Sequence, residues 1–153
     1  MRDTRPELSL QRLGDPAPRR IPVPTWYASV YSVAVSQDGR FVAFEGYNAP
    51  GEDSVGVSVM SLADHSVRHW FTIAGEGGLV GWLSDGTLLL RLAETPETWS
   101  LYHLTRPERA AKLGTIPRMV SAISVSADLK RAAIVVHDSR GDAWINRVVR
   151  PKH

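Results

Sequence analysis

The side chains able to do chemistry in this 153-residue chain are few and far apart. There are five histidines: His65, His69, His103, His137 and His153. His65 and His69 stand four apart, a spacing that makes a ligand pair on a helix but not on a strand. His137-Asp138 has the composition of a general-base dyad; the plainer reading is a loop histidine beside a turn aspartate. Gly75-Glu76-Gly77-Gly78 has the glycine content of a phosphate loop. No helical pattern follows it, so no row of N–H groups would face an anion, and it reads as a flexible turn. There is no G-x-S-x-G nucleophile elbow and no cysteine. The expectation is no catalytic residue, no metal site and no cofactor. Charge is the remaining signal. Glu45, Tyr47, Asn48, Glu52, Asp53, Glu76, Glu94, Glu97, Asp138 and Asp142 fall in or beside loops of one class. Arg40, His65, Arg106, Arg109, Lys130 and Arg131 fall in the other class. If each class gathers at one end of the fold, one end is acidic and suits a cationic ligand or a basic protein partner. The candidate binding residues are Tyr47, Glu52, Asp53, Glu76, Glu94, Glu97 and Asp138.

The elements that must do this gathering are hairpins. Residues 32–44, SVAVSQDGRFVAF, carry Asp38-Gly39 between two apolar runs, a strong hairpin signal because glycine takes φ > 0 without steric cost. The device returns as LVGWLSDGTLLL from Leu79 and as SAISVSADLKRAAIVV from Ser121. The turn serines Ser36, Ser84 and Ser126 lie 48 and 42 residues apart. Four short strands in each unit of about 40–50 residues is the pattern of a β-propeller blade. A β-sandwich uses similar strands but does not explain the recurring hairpin.

The chain therefore reads as all-β. Residues 1–6 are expected to be disordered. Residues 7–24 hold two outer strands, 7–13 and 19–23, the second an edge because Pro22 cannot donate to a ladder. A blade over 25–73 has strands near 31–35, 40–45, 55–61 and 67–73. A blade over 74–117 has strands near 79–83, 87–92, 99–104 and 110–116. An incomplete blade over 118–150 has strands near 122–125, 131–137 and 143–149. Residues 105–113, TRPERAAKL, conflict with this frame: a Thr cap, an early Pro and a Glu-Ala-Lys composition suit a helix. The repeat makes them a turn and an outer strand. Trp26, Trp70, Trp82, Trp99 and Trp144 fall mostly on strands and read as packing between blades.

A net charge of +2 and a pI near 9.2, without a basic helix or aromatics among lysines, do not suggest nucleic acid. No apolar run is long enough for a bilayer and no signal-peptide pattern opens the chain, so no compartment is indicated.

Ser36-Gln37-Asp38-Gly39-Arg40, the strand Phe41–Phe44 and the later VSVMSL over 57–62 resemble the repeat of TolB-type β-propellers. So do Gly81-Trp82-Leu83-Ser84-Asp85-Gly86-Thr87 and Ser126-Ala127-Asp128-Leu129-Lys130-Arg131. Gln37 and Ala127 stand where that repeat usually has Pro, and Leu129 where it has Gly. The resemblance covers about residues 7–150. It implies a propeller of usually six blades, with no family active-site motif to transfer. The strands amount to about three blades, too few for a closed ring. Two expectations follow: two copies pair into a six-bladed ring, or the chain is a piece of a longer propeller. The corresponding functions are a non-catalytic scaffold or binding module, or an accessory domain of a serine peptidase or of a bacterial sensor.

Overall fold

A computed structural model describes residues 7–11, 14–24, 27–48, 54–117, 120–126 and 131–136. They form twelve antiparallel strands in four sheets. β1 (Glu7–Leu10) pairs with β2 (Arg19–Pro22). The first four-stranded sheet is β3 (Tyr27–Val35), β4 (Phe41–Asn48), β5 (Ser54–Ser61) and β6 (Val67–Ala74), in that order. The second is β7 (Gly77–Trp82), β8 (Leu88–Thr95), β9 (Thr98–Arg106) and β10 (Arg109–Pro117). The last sheet pairs β11 (Val120–Val125) with β12 (Ala132–Val136). Residues 1–6 and the strand expected over 143–149 lie outside the described residues, as do Trp26, Trp144, His137, Asp138, Asp142, Lys130 and His153.

The sheets stack face to face because their strands are apolar on both sides. Successive side chains of a strand point to opposite faces. In β4, Val42 and Phe44 therefore face the β1–β2 pair and share a core with Ile21, Val23 and, from β5, Met60. Ala43, between them, faces the second sheet and joins Val57, Val59, Ile73, Leu88, Leu90 and Leu104. In β8, Leu89 turns the other way and packs with Leu101, Ile116, Ala132 and Ile134 against β11–β12. Three cores thus alternate with four sheets, the arrangement of propeller blades.

Three features differ from expectation. First, the turn between β7 and β8 is shorter than its counterpart. Gly39 N–H donates to Ser36 O, and Gly86 N–H donates to Leu83 O (2.9 and 3.1 Å). Leu83, not Ser84, is thus the counterpart of Ser36, and the repeat positions are 36, 83 and 126. Ser84 lies inside the turn. Second, the strands start and stop elsewhere: β3 begins at Tyr27, and β1 ends at Leu10. Third, the glycine-rich segment is mostly strand. Gly77 and Gly78 belong to β7, and Glu76 O accepts from Ala93 N–H at 2.8 Å, so only Gly75 and Glu76 form the turn. The segment 105–113 is strand, turn and strand, as the repeat requires. Helix propensities differ by no more than about 0.7 kcal/mol for ordinary residues, whereas burying a leucine yields about 1.5–3 kcal/mol. Leu104 is fully buried in the central core, and Glu108, at φ 58°, gives its N–H to Trp70 O of the first sheet at 2.9 Å.

Among the described residues no helix is long and apolar enough to cross a membrane.

Candidate functional site

The antiparallel order puts the turns β4–β5, β6–β7 and β8–β9 at one end of the blades, and the turns β3–β4, β5–β6, β7–β8 and β9–β10 at the other. At the first end a groove of about 910 Å³ opens between the two four-stranded sheets. Tyr31, Tyr47, Val55, Glu76, Gly77 and Trp99 line it.

Each lining residue has a local cause. Tyr31 would share a face with Val33 and Val35 by simple alternation. The β3–β4 register shifts between Val30 and Ser32, leaving Tyr31 as the extra residue of a bulge. The shift turns its ring to the side of Tyr47, with centroids 5.5 Å apart and planes at 47°. Tyr47 follows Ala43 and Glu45 along the same face of β4. Trp99 lies opposite Ala93, on the strand next to Gly77's partner Leu92. Arg91 places its guanidinium 5.3 Å from the Trp99 ring centre.

Beneath the groove Glu45 is only 4% exposed. Its carboxylate accepts the Leu79 N–H and lies against Gly78, where a Cβ would stand 3.1 Å from a carboxylate oxygen. Burial pushes its pKa above the ordinary carboxylate value, although the Leu79 N–H and the Arg91 charge oppose the shift. A folded pKa above the unfolded one means that the native state holds the proton more tightly. Stability from this group is therefore greatest below the ordinary carboxylate range and falls as pH rises through the raised value. Glu45→Gln keeps an oxygen for Leu79 and removes the charge. Its urea midpoint is expected to exceed the parent's by a margin that widens from pH 4 to pH 8. A constant margin would mean that the carboxylate is not the cause.

Nearby, partial burial, followed by the Glu45 charge, pushes the Tyr31 hydroxyl up to about 12.

Of the residues proposed from sequence, Tyr47 and Glu76 come together in the groove. Glu94 turns away from it. Its carboxylate takes Lys112 Nζ at 2.5 and 2.6 Å and the Ser100 hydroxyl, and Lys112, then Ser100, hold its pKa below the usual range. Glu97 sits in the β8–β9 turn with its carboxylate on the Thr95 hydroxyl at 3.2 Å. Glu52, Asp53 and Asp138 lie outside the described residues. Tyr31 and Trp99 were not among the expected site residues; their contribution depends on the bulge and on the Ala93 cross-strand partner.

The histidines take separate partners. His65 Nε2 meets Arg19 Nη2 at 2.9 Å, and His69 meets Thr72 at 2.9 Å and Glu108 at 3.8 Å. One cluster was unforeseen: His103 Nε2 faces both the Thr87 hydroxyl and Asp85 Oδ2, the latter at 3.4 Å. A nucleophile relay needs its hydroxyl and carboxylate on opposite ring nitrogens, so this arrangement clamps a turn. No group of three or more metal-ligating side chains converges among the described residues. Trp70 and Trp82 pack as expected: their rings lie 6.2 Å apart beside the central core, and Trp82 Nε1 donates to Ala34 O at 2.9 Å.

No protein-family model and no characterised protein matches the chain by sequence. Solved structures do match by fold. TolB from Acinetobacter baumannii aligns over 95% of this chain and 38% of its own, with TM-score 0.65 and 18% identity. The β-propeller domain of the Trilobed protease from Pyrococcus furiosus, described as having an open velcro topology, aligns over 90% of this chain and 43% of its own, with TM-score 0.55 and 16% identity. The chain spans about two fifths of the length of these structures. Its fold is a TolB-like β-propeller.

Proposed function

We propose that the chain is a non-catalytic β-propeller module, a scaffold and binding surface that closes its ring with a second copy of itself. One observation carries the pairing. Val33 and Val35 of β3 are 56% and 51% exposed, while their cross-strand partners on the same face, Phe44 and Val42, are 0% and 5% exposed. The β1–β2 pair covers the outer strands of that face and leaves the inner strand bare. At the far end of the stack β11–β12 is an inner pair. Its outward face carries exposed Ala122, Ser124, Ala133 and Val135, small side chains suited to close packing. The β11–β12 of one copy laid on Val33 and Val35 of the other, on the inner side of β1–β2, would close a blade at each of two equivalent junctions.

Light scattering over a concentration series tests this. The expected result is a dimer, and Val33→Glu is expected to weaken pairing at least about ten-fold while leaving the circular dichroism unchanged. The charge would have to be buried at the junction, where apolar burial otherwise contributes about 25 cal/mol per Å². A parent chain that is monomeric at every concentration overturns the two-copy ring. That outcome would favour the second reading, an accessory propeller of a larger protein, which the likeness to a protease propeller domain supports.

A further inference from the structure

We propose that the groove between the two four-stranded blades binds an alkylated ammonium group, held against the exposed faces of Tyr31 and Tyr47 with Glu76 supplying the opposite charge. This rests on the reading of the chain as a binding module but not on the pairing of copies, because every lining residue belongs to two blades of one chain.

Four observations converge on an organic cation. The two tyrosine rings touch, with centroids 5.5 Å apart and planes at 47°, and each is about half exposed, so together they present one notched aromatic surface. Aromatic faces carry negative quadrupole potential, and a cation whose charge is spread over alkyl groups gives up little hydration to reach them. Second, the chain departs from regular strand geometry to make this pair. The bulge at Tyr31 removes the ring from the Val33 face and places it over the groove, yet leaves it half exposed, which core packing alone would not require. Third, carboxylates stand at the groove. Glu76 lies on the rim, and the buried Glu45 is near enough to add to the upward shift that burial gives the Tyr31 hydroxyl. Arg91, opposite Gly78 and over Trp99, offsets part of this charge. Fourth, that Arg91–Trp99 contact is the same chemistry made internally at the edge of the same groove. A volume of about 910 Å³ falls within the range of small-ligand sites.

Calorimetric titration of the full chain with choline chloride, against its uncharged isostere 3,3-dimethyl-1-butanol, tests the assignment. Choline is expected to bind saturably and at least about ten-fold more tightly than the alcohol. Tyr47→Ala and Glu76→Gln, each checked by circular dichroism for an unchanged fold, are expected to weaken it at least about five-fold. A trimethyl-lysine peptide distinguishes the sources: tighter binding than choline assigns the site to a protein side chain, and weaker binding to a free solute. Equal binding of choline and the alcohol, variants that bind like the parent, or no heat with either cation overturns the proposal. Val33→Glu separates this result from the oligomeric one, since a monomeric variant is expected to bind choline as the parent does.

Discussion

Gly46→Ala is expected to lower the stability of the chain by about 3 kcal/mol or more, read as a fall in the urea midpoint. A Cβ built on Gly46 would stand 1.9 Å from the carbonyl oxygen of Ser29 and 3.0 Å from the Tyr27 ring. The Ser29 oxygen is main chain, so no rotamer change relieves the overlap. β3 must move off β4 where two register shifts, at Tyr27/Ser29 and Val30/Ser32, already bend it. The second shift is the one that aims Tyr31. The same substitution is therefore expected to remove choline binding even under conditions where most of the protein remains folded. An unchanged midpoint would mean that β3 and β4 are not paired at this register.

Leu90→Ala is expected to cost about 2–5 kcal/mol. Leu90 is fully buried at the junction of the two four-stranded sheets, where it lies opposite Leu79 on one side and Tyr102 on the other. Its neighbours in that core, among them Val57, Ile73, Leu88 and Leu104, sit on strands held in register by their own ladders. They cannot easily collapse into the space left behind. Leu92→Ala, one step along the same face but only partly buried, is the comparison: its cost should be visibly smaller. Equal effects would indicate that the two sheets do not meet as described.

The fold was legible because its signals are local. Asp38-Gly39 and Asp85-Gly86 specify tight turns through the positive φ of Gly39 and Gly86 (68° and 79°). Unbroken apolar triplets such as Val42-Ala43-Phe44 and Leu88-Leu89-Leu90 suit strands buried on both faces. The Pro107-Glu108 turn prevailed over a helical composition because the repeat buries Leu104 and Ile116 on either side of it. The candidate site was legible only in part. Tyr47 and Glu76 follow from the order of the strands, since alternate turns share an end. Tyr31 does not, because the shift that re-aims it depends on how β3 meets a strand beyond the turn. Glu94 was misplaced for a similar reason: Lys112, eighteen residues away, lies two strands over and draws its carboxylate aside. The turn opens at Leu83 and not at the serine after it because the β7–β8 turn is one residue shorter, with Leu83 N–H donating to Thr87 O where Ser36 N–H donates to Phe41 O.

The three cores formed by the described residues are separate, each shared by only two neighbouring sheets. A stack held together in that way need not open all at once. Among the described residues, the junction between the two four-stranded sheets joins eight strands, whereas each outer junction holds two described strands against one neighbouring sheet. Amide protons should therefore exchange in tiers: slowest in β4, β5, β8 and β9, faster in β1–β2 and β11–β12. Whatever covers Val33 and Val35 in the assembled protein would slow the fast tiers first. The protection of β11 and β12 thus reports on ring closure at concentrations too low for light scattering.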